Sequence, residues 1–347
     1  MNYRGPLWRL LLLLFVVLPA QAAPAVLRVL AWPGYADSDL VAGFEQRYEV
    51  KVEVTLVGSD EALRNKMSEN QGGNFDVIAA NTAEVHRYVD QGLLQPLHPE
   101  RIANTSRQLA HFRDYARIPD IVVGGQLYAI PYVWSDMGLI YDRHQWQSPP
   151  ESIDSMWDAK WQGRVLAFNT SNHNFSLASL SLGGDPFRIK ADEFARVTAR
   201  LVALRRNVLT FYSLPEEAAE LFRSHQVALL FANYGRQQLK QLRDAGADVG
   251  YVIPREGALA WLDCWAISRG ASDPVLAGKW IDYMLEPQVS HALTERQGLS
   301  NTLEEPAEAG SPRPLIWIRP VEDDQRRAAL WQRIISGERP PLLEAGQ

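Results

Sequence analysis

Val26-Leu-Arg-Val-Leu-Ala-Trp32 opens the stretch of sequence that decides the fold, because its apolar run predicts a buried β-strand. Apolar residues at helical spacing predict a helix over 39–48, and residues 50–57 alternate in polarity as a strand does. Elements of the same two kinds follow: a helix from Ser59, a strand over 75–80 and a helix over 84–91. This alternation predicts an α/β fold with a parallel sheet covered by helices.

Three residues come directly after these strands, namely Trp32, Ser59 and Asn81. Ligands of open α/β sheets bind beyond the carboxyl ends of the strands. We therefore expect the three side chains to line one wall of a cleft. Ser59 also fits a helix N-cap, which would make ligand contact its secondary role.

The middle of the chain predicts a second unit of the same kind. Its expected elements are an extended apolar segment over 128–134, strands over 163–168, 227–232 and 249–254, and a helix over 192–205. Residues 261–267 would then complete the first sheet. The chain is expected to cross between the units near Pro131 and near Pro254, which is the layout of a hinged two-lobe trap.

The amino terminus indicates export. Residues 1–22 combine Arg4 and Arg9, an apolar run over 10–18 and the small-x-small motif Ala20-Gln-Ala22, as a cleaved signal peptide does. The alternative is a membrane anchor, but the run is shorter than the roughly 20 residues that span a bilayer. The mature protein is expected in a bacterial periplasm.

Composition excludes several classes of protein. The formal net charge of −6 becomes −8 when Arg4 and Arg9 are removed, and an acidic surface argues against a nucleic-acid partner. Cys264 is the single cysteine, so no intramolecular disulfide can form. It is expected to be a buried small hydrophobe.

Two segments far apart in sequence supply the parts of an amine site. Trp32-Pro-Gly-Tyr35 ends the first strand, and Trp261-Leu-Asp263 lies in a later one. An ammonium ion over an indole or phenol face gains about 0.5–2 kcal/mol. The Asp263 carboxylate would add a charge-assisted hydrogen bond, although an internal ion pair is the alternative reading of this acid. For Trp32, packing in the protein core is the alternative to ligand contact.

The chain resembles the periplasmic spermidine/putrescine-binding proteins of bacterial ABC uptake systems over almost its whole mature length. The resemblance is carried by Trp32-Pro-Gly-Tyr35, Gly58-Ser-Asp-Glu-Ala-Leu63, Phe75-Asp-Val-Ile78, Gln91-Gly-Leu-Leu-Gln-Pro-Leu97, Tyr128-Ala-Ile-Pro-Tyr-Val-Trp134, Pro254-Arg-Glu-Gly257, Trp261-Leu-Asp263 and Met284-Leu-Glu-Pro287. It implies a type II periplasmic-binding-protein fold with two discontinuous α/β lobes joined by a hinge.

The lobes are expected at 27–131 with 262–302, and at 132–261 with 303–347. The resemblance further implies reversible binding of polyamines with no reaction, in an uptake system with an inner-membrane ABC permease. A membrane sensor as the partner is the alternative. We also expect a monomer, no cofactor and, because the histidines lack metal-like spacing, no metal.

Other positions depart from the resemblance. Where relatives carry acids after the strand that ends at Phe168, this chain offers Thr170 and His173, and Arg236 stands where some relatives have an acid. The departures favour a second ligand class, an ω-amino acid such as 4-aminobutyrate or 5-aminovalerate, whose carboxylate would meet Arg236 and a helix N-terminus. A plain loop histidine and a helix-surface arginine are the alternative readings of His173 and Arg236.

The predicted site thus comprises residues from both lobes: Trp32, Tyr35, Ser59, Asn81, Thr170, His173, Arg236, Trp261 and Asp263. No nucleophile elbow, phosphate loop or His-Glu-x-x-His motif occurs, so a periplasmic hydrolase is only a remote alternative.

Overall fold

The computed structural model describes residues 24–305 and 313–338, and the predicted signal peptide lies outside this part of the chain. The described strands are β1 (Val26–Ala31), β2 (Lys51–Leu56), β3 (Val77–Asn81), β4 (Val122–Val123), β5 (Gln126–Leu127), β6 (Ala129–Met137), β7 (Leu139–Asp142), β8 (Val165–Phe168), β9 (Val208–Tyr212), β10 (Leu229–Phe231), β11 (Val249–Val252), β12 (Ala258–Ile267), β13 (Ser300–Asn301) and β14 (Leu315–Trp317). The described α-helices are α1 (Ser38–Tyr48), α2 (Asp60–Ser68), α3 (Thr82–Asp90), α4 (Ala110–Arg113), α5 (Ser171–Ser181), α6 (Phe194–Asn207), α7 (Pro215–Ser224), α8 (Arg236–Asp244), α9 (Pro274–Met284), α10 (Pro287–Gln297) and α11 (Asp324–Ile335).

Two large sheets organise the molecule. A seven-stranded sheet has the order β13-β6-β12-β3-β1-β2, with β14 beside β12, and a five-stranded sheet has the order β11-β7-β10-β8-β9. β1 pairs in parallel with β2 and β3, as the alternating pattern predicts, while β12 runs antiparallel to β3 and β6. Each sheet with its helices forms one lobe.

Each lobe has an apolar core of its own. Phe44, Trp265 and Trp280 lie in the first core, and Phe175 and Phe194 lie in the second. The helices bury one apolar face each, which is why their apolar residues recur at helical spacing.

The long strands β6 and β12 connect the lobes. β6 contributes Trp134 to the first core and Met137 to the second, and β12 likewise contributes Leu262 to the first and Leu259 to the second. The change from one sheet to the other falls at Gly138, between β6 and β7, in contrast to the expected crossing near Pro131. The second change falls between β11 and β12, where Pro254 was expected to mark it.

Pro131 marks a β-bulge instead of a crossing. In the pairing of β6 with β12, Asp263 faces Val133 and Cys264 faces Pro131, so Tyr132 is an extra residue. A proline has no N–H for the ladder and is tolerated at such bulges. The exact lobe boundaries at 131/132 and 261/262 stay predictions.

The carboxyl-terminal segment returns across both lobes. β14 runs parallel to β12, and α11 packs on α5 and α6 of the second lobe. Arg327 of α11 is fully buried, and its guanidinium donates to Glu322, to the carbonyl of Asn172 and to Ser176 Oγ. Within the described ranges, no helix has both the length and the apolar character needed to cross a bilayer.

Candidate amine-binding cleft

Asp263 and Tyr35 form the centre of the candidate site. Asp263 lies in β12 and is 6% exposed, and its Oδ2 accepts a hydrogen bond of 2.6 Å from the Tyr35 hydroxyl. Burial raises the pKa of Asp263 to about 7, although the bond from Tyr35 opposes that shift. Oδ1 has no hydrogen-bond partner among the described residues. A cationic ligand would stabilise the charged form of this buried carboxyl and pair with its unbonded oxygen.

Aromatic residues lie on the same elements as Asp263 and Tyr35. Trp32 follows β1 and is half-buried, and its indole Nε1 is buried without a partner in the described part of the chain. The Tyr35 ring meets Tyr132 edge to face at 5.7 Å between centroids. Trp261, also half-buried, packs against both cores. Trp261 lies two residues before Asp263 in β12, and the Tyr35 N–H donates to the Trp32 carbonyl at 3.1 Å. That these four residues share one ligand stays a prediction.

Asn81 extends the site toward helix α2. It lies directly opposite Asp263 in the pairing of β3 with β12. Its Oδ1 caps α3 by accepting from the N–H of Glu84 at 3.0 Å, and its Nδ2 donates to Asp60 Oδ1 at 3.0 Å. Ser59 is exposed, and its Oγ accepts from the N–H of Ala62 at 3.1 Å, so this hydroxyl is engaged as a helix cap.

Asn233 joins the second lobe to the first. Its side-chain Oδ1 lies 2.7 Å from His173 Nδ1, and its carbonyl accepts a 3.2 Å bond from Trp261 Nε1. Burial lowers the pKa of His173, so the ring is neutral near pH 7. Thr170 precedes α5 without a side-chain cap bond, and its carbonyl accepts from Asn174 at 2.7 Å.

Arg236 lies at the crossing between the lobes. Its Nε is 3.7 Å from Asp136 Oδ2, and its guanidinium sits over the Tyr251 ring at 5.4 Å. Burial raises the pKa of Asp136, and the positive charge of Arg236 opposes this shift. The expected contact of Arg236 with a ligand carboxylate stays a prediction, and the ion pair with Asp136 speaks against it.

Three polar residues near the cleft were not predicted from the sequence: Asp60, Asp136 and Asn233. In sequence, Asp60 is an ordinary acid in the first turn of a helix, and Asn233 is a polar residue after a strand. Asp136 carries the same signal that singled out Asp263, an acid inside an apolar strand. The described residues contain no group of three or more His, Cys, Asp or Glu arranged to hold a metal ion.

Comparison with known proteins identifies the family. Residues 39–312 match the family described as bacterial extracellular solute-binding protein. The chain belongs to this family. Among curated relatives it is 25% identical to the putrescine-binding periplasmic protein PotF of Escherichia coli (strain K12), over 77% of this chain and 75% of the relative. It is also 25% identical to a putrescine/cadaverine-binding protein of Pseudomonas aeruginosa, over 83% of both chains.

Solved structures show the fold. A spermidine/putrescine ABC transporter substrate-binding protein of Streptococcus pneumoniae superposes with a TM-score of 0.72 at 20% identity, covering 92% of this chain and 99% of that chain. A structure described as a GABA receptor gives 0.68 at 16% identity, covering 89% and 96%. The predicted two-lobe type II fold and the resemblance to polyamine-binding proteins are both confirmed. Members of this family are solute-binding proteins and not enzymes.

Proposed function

We propose that this protein captures a small organic polyamine-like cation in the cleft between its lobes and delivers it to an inner-membrane ABC permease. The observation that carries the proposal is Asp263, a buried carboxyl with one oxygen held by Tyr35 and the other without a partner in the described chain. The faces of Trp32 and Trp261 would receive the ammonium group and the methylenes next to it.

The second lobe favours a cation over a zwitterion. The carboxylate of an ω-amino acid needs a positive partner there, but Arg236 is paired with Asp136 and His173 is neutral. The names of the curated relatives support the same class, since they bind putrescine, spermidine or cadaverine.

An ω-amino acid is the second candidate. One observation favours it: α5 begins at the cleft with no acid in its first turn and no side-chain cap, which leaves helix-start N–H groups for an anion. The fold similarity to a GABA receptor is compatible with this candidate.

Capture would work by closure of the two lobes around the ligand. Asp263 lies in the first sheet and Tyr35 in the loop after β1, whereas His173 and Asn233 belong to the second lobe. Only the closed state would therefore present both walls to the ligand. A ligand that contacts both walls shifts the population to that state. The permease, or a membrane sensor, would then read the outer faces of the closed lobes.

Isothermal titration with putrescine, spermidine, 4-aminobutyrate and 5-aminovalerate tests the proposal. We expect heat with the first two and little with the amino acids. Tighter binding of either amino acid would establish the second candidate instead. Absence of heat and of a thermal shift with all four would overturn the amine assignment.

A further inference from the structure

Asp60 lies next to the centre of the cleft without belonging to the predicted site. It is half-buried at the first position of α2, and its Oδ1 accepts the bond from Asn81 Nδ2. Asn81 in turn faces Asp263 across the β3–β12 pair. Asn81 therefore links the two acids: its side chain contacts Asp60, and its backbone pairs with that of Asp263. Oδ2 of Asp60 has no hydrogen-bond or ion-pair partner within the described ranges.

The charge of Asp60 reaches both lobes. It raises the pKa of Asp263 in the first lobe, and it opposes the lowering of the pKa of His173 in the second. It also raises the pKa of Tyr234, which follows β10 in the second lobe. Coulomb interactions of this kind fall off with distance, so the charge of Asp60 acts on titratable groups of both walls.

We infer that Asp60 is the second anionic group of this site and binds the far ammonium of a diamine whose near ammonium binds Asp263. The inference rests on the proposed function and narrows its ligand class to molecules with two cationic nitrogens. An independent observation points to a ligand at this pair of acids: Asp263 is more than nine-tenths buried, and its Oδ1 makes no bond in the described chain. Two carboxylates at one cleft are stabilised when cationic groups of a ligand pair with both of them.

The same residue explains how the site can do without the acids that relatives carry after the strand ending at Phe168. This chain has Thr170 and His173 at those positions, and neither offers a negative charge. Asp60 brings a carboxylate to the cleft from the first lobe. The countercharge is therefore present but comes from a different element of the fold.

A purely structural role for Asp60 is the alternative. An acid in the first turn of a helix is favourable with the positive N-terminal end of the helix dipole. Glu61 is the matched control, because it occupies the same turn of α2, carries the same charge and is exposed.

The test compares Asp60→Asn with Glu61→Gln in the full mature chain. Asparagine keeps the shape and an acceptor for Asn81, so the main change is the lost charge. Putrescine is titrated by calorimetry, and n-butylamine, which has one nitrogen on the same carbon chain, is measured by competition with putrescine. Melting temperatures of both variants establish that they fold.

We expect Asp60→Asn to lower the affinity for putrescine about tenfold or more, because a hydrogen bond between charged groups is lost. The affinity for butylamine should change less than about threefold. Glu61→Gln should leave the affinities for both amines unchanged. Equal loss of both amines in Asp60→Asn, or no loss of putrescine, would overturn the inference while leaving amine capture intact. Wild-type protein that binds neither amine would overturn both.

Discussion

At the scale of single residues, Asp263 has more influence on function than on folding. Its carboxyl is buried, and burial disfavours its charged form, so the folded protein alone does not gain from it. A bound ammonium would reverse this balance, since it favours the charged form. The residue is thus suited to a site in which the ligand completes the structure.

Asp263→Ala should abolish most amine binding while the protein stays folded. We expect affinity for putrescine to fall about tenfold to a hundredfold, because a charge-assisted hydrogen bond in a buried site is lost. The melting temperature without ligand should hold or rise. Asp244→Asn, an exposed acid paired with Lys240, is the control. Unchanged affinity in calorimetry would remove Asp263 from the site.

Binding should strengthen as pH rises. The pKa of Asp263 is about 7 without ligand, so the carboxylate that an ammonium needs is scarce below that value. We expect putrescine affinity to increase between about pH 5.5 and about pH 8. His173→Gln should keep this dependence, because the lowered pKa of His173 places its titration at more acidic pH. A flat profile in titrations at several pH values would contradict the assignment to Asp263.

Stability without ligand should follow the opposite trend. The folded pKa of Asp263 lies above its ordinary value of 3.8, so its contribution to the free energy of unfolding is full below about pH 4 and is lost as pH rises through about 7. Burial also raises the pKa of Glu84 to about 7, which adds a contribution of the same sign. Putrescine-induced shifts in melting temperature should therefore grow from about pH 5.5 to about pH 8, as the affinity does.

The site residues that could be predicted from the sequence are those that break a local pattern. Asp263 is an acid inside an apolar strand, and Tyr35 is an aromatic residue just after the end of a strand. Both are unusual at such positions and therefore indicate a function. Asp60 and Asn233 give no such signal, since acids in first turns and asparagines in turns are ordinary. Their positions depend on pairing across the sheets, which a local pattern does not contain.

At the scale of elements, Gly138 determines how the chain passes between lobes. Its N–H donates to the Tyr251 hydroxyl at 2.8 Å, and a Cβ there would lie 2.7 Å from the Tyr251 ring and from the Val252 carbonyl oxygen. The close approach of β11 to this point needs a residue without a side chain.

Gly138→Ala should destabilise the protein by about 1–3 kcal/mol, because a side chain is forced into a packed site. Gly278→Ala is the control: it lies in α9 with open space around it, and alanine there should stabilise by about 0.5–1 kcal/mol. The measurement is chemical unfolding of both variants. Equal stability of the two would show that the crossing tolerates a side chain.

Most elements could be predicted from periodicity, and the crossing could not. The predicted helix over 39–48 and strand over 50–57 match α1 and β2 within a residue or two. The sequence predicts a crossing near Pro131, yet β6 continues through this proline with a bulge. Whether a strand ends or bulges depends on its partner strand, here β12, which is far away in sequence.

At the scale of the whole molecule, an ion-pair network joins the lobes on one side of the cleft. Arg87 of α3 donates to Asp324 of α11 at 2.7 Å, and Arg64 of α2 lies 4.0 Å from the same carboxylate. Both arginines also approach Glu84, which is buried. Since α11 packs on the second lobe, these contacts form between the lobes.

Asp324→Asn should make opening easier. The pairs are partly exposed, so we expect a loss of at most about fivefold in putrescine affinity, and a larger radius of gyration without ligand in small-angle scattering. Glu338→Gln removes the ion pair with Arg333 next to the same helix and is the control. Equal radii and affinities in Asp324→Asn and wild type would show that the network does not restrain the lobes.

The buried guanidinium of Arg327 has a practical consequence for anyone shortening this protein. It donates a hydrogen bond from the carboxyl-terminal helix α11 to the carbonyl of Asn172, one residue before His173. Trimming the chain ahead of α11 would spare both sheets but expose the second core, where Leu330, Trp331 and Ile334 are buried. It would also remove the hydrogen bond to the start of α5. A biosensor scaffold made from this protein should therefore keep α11.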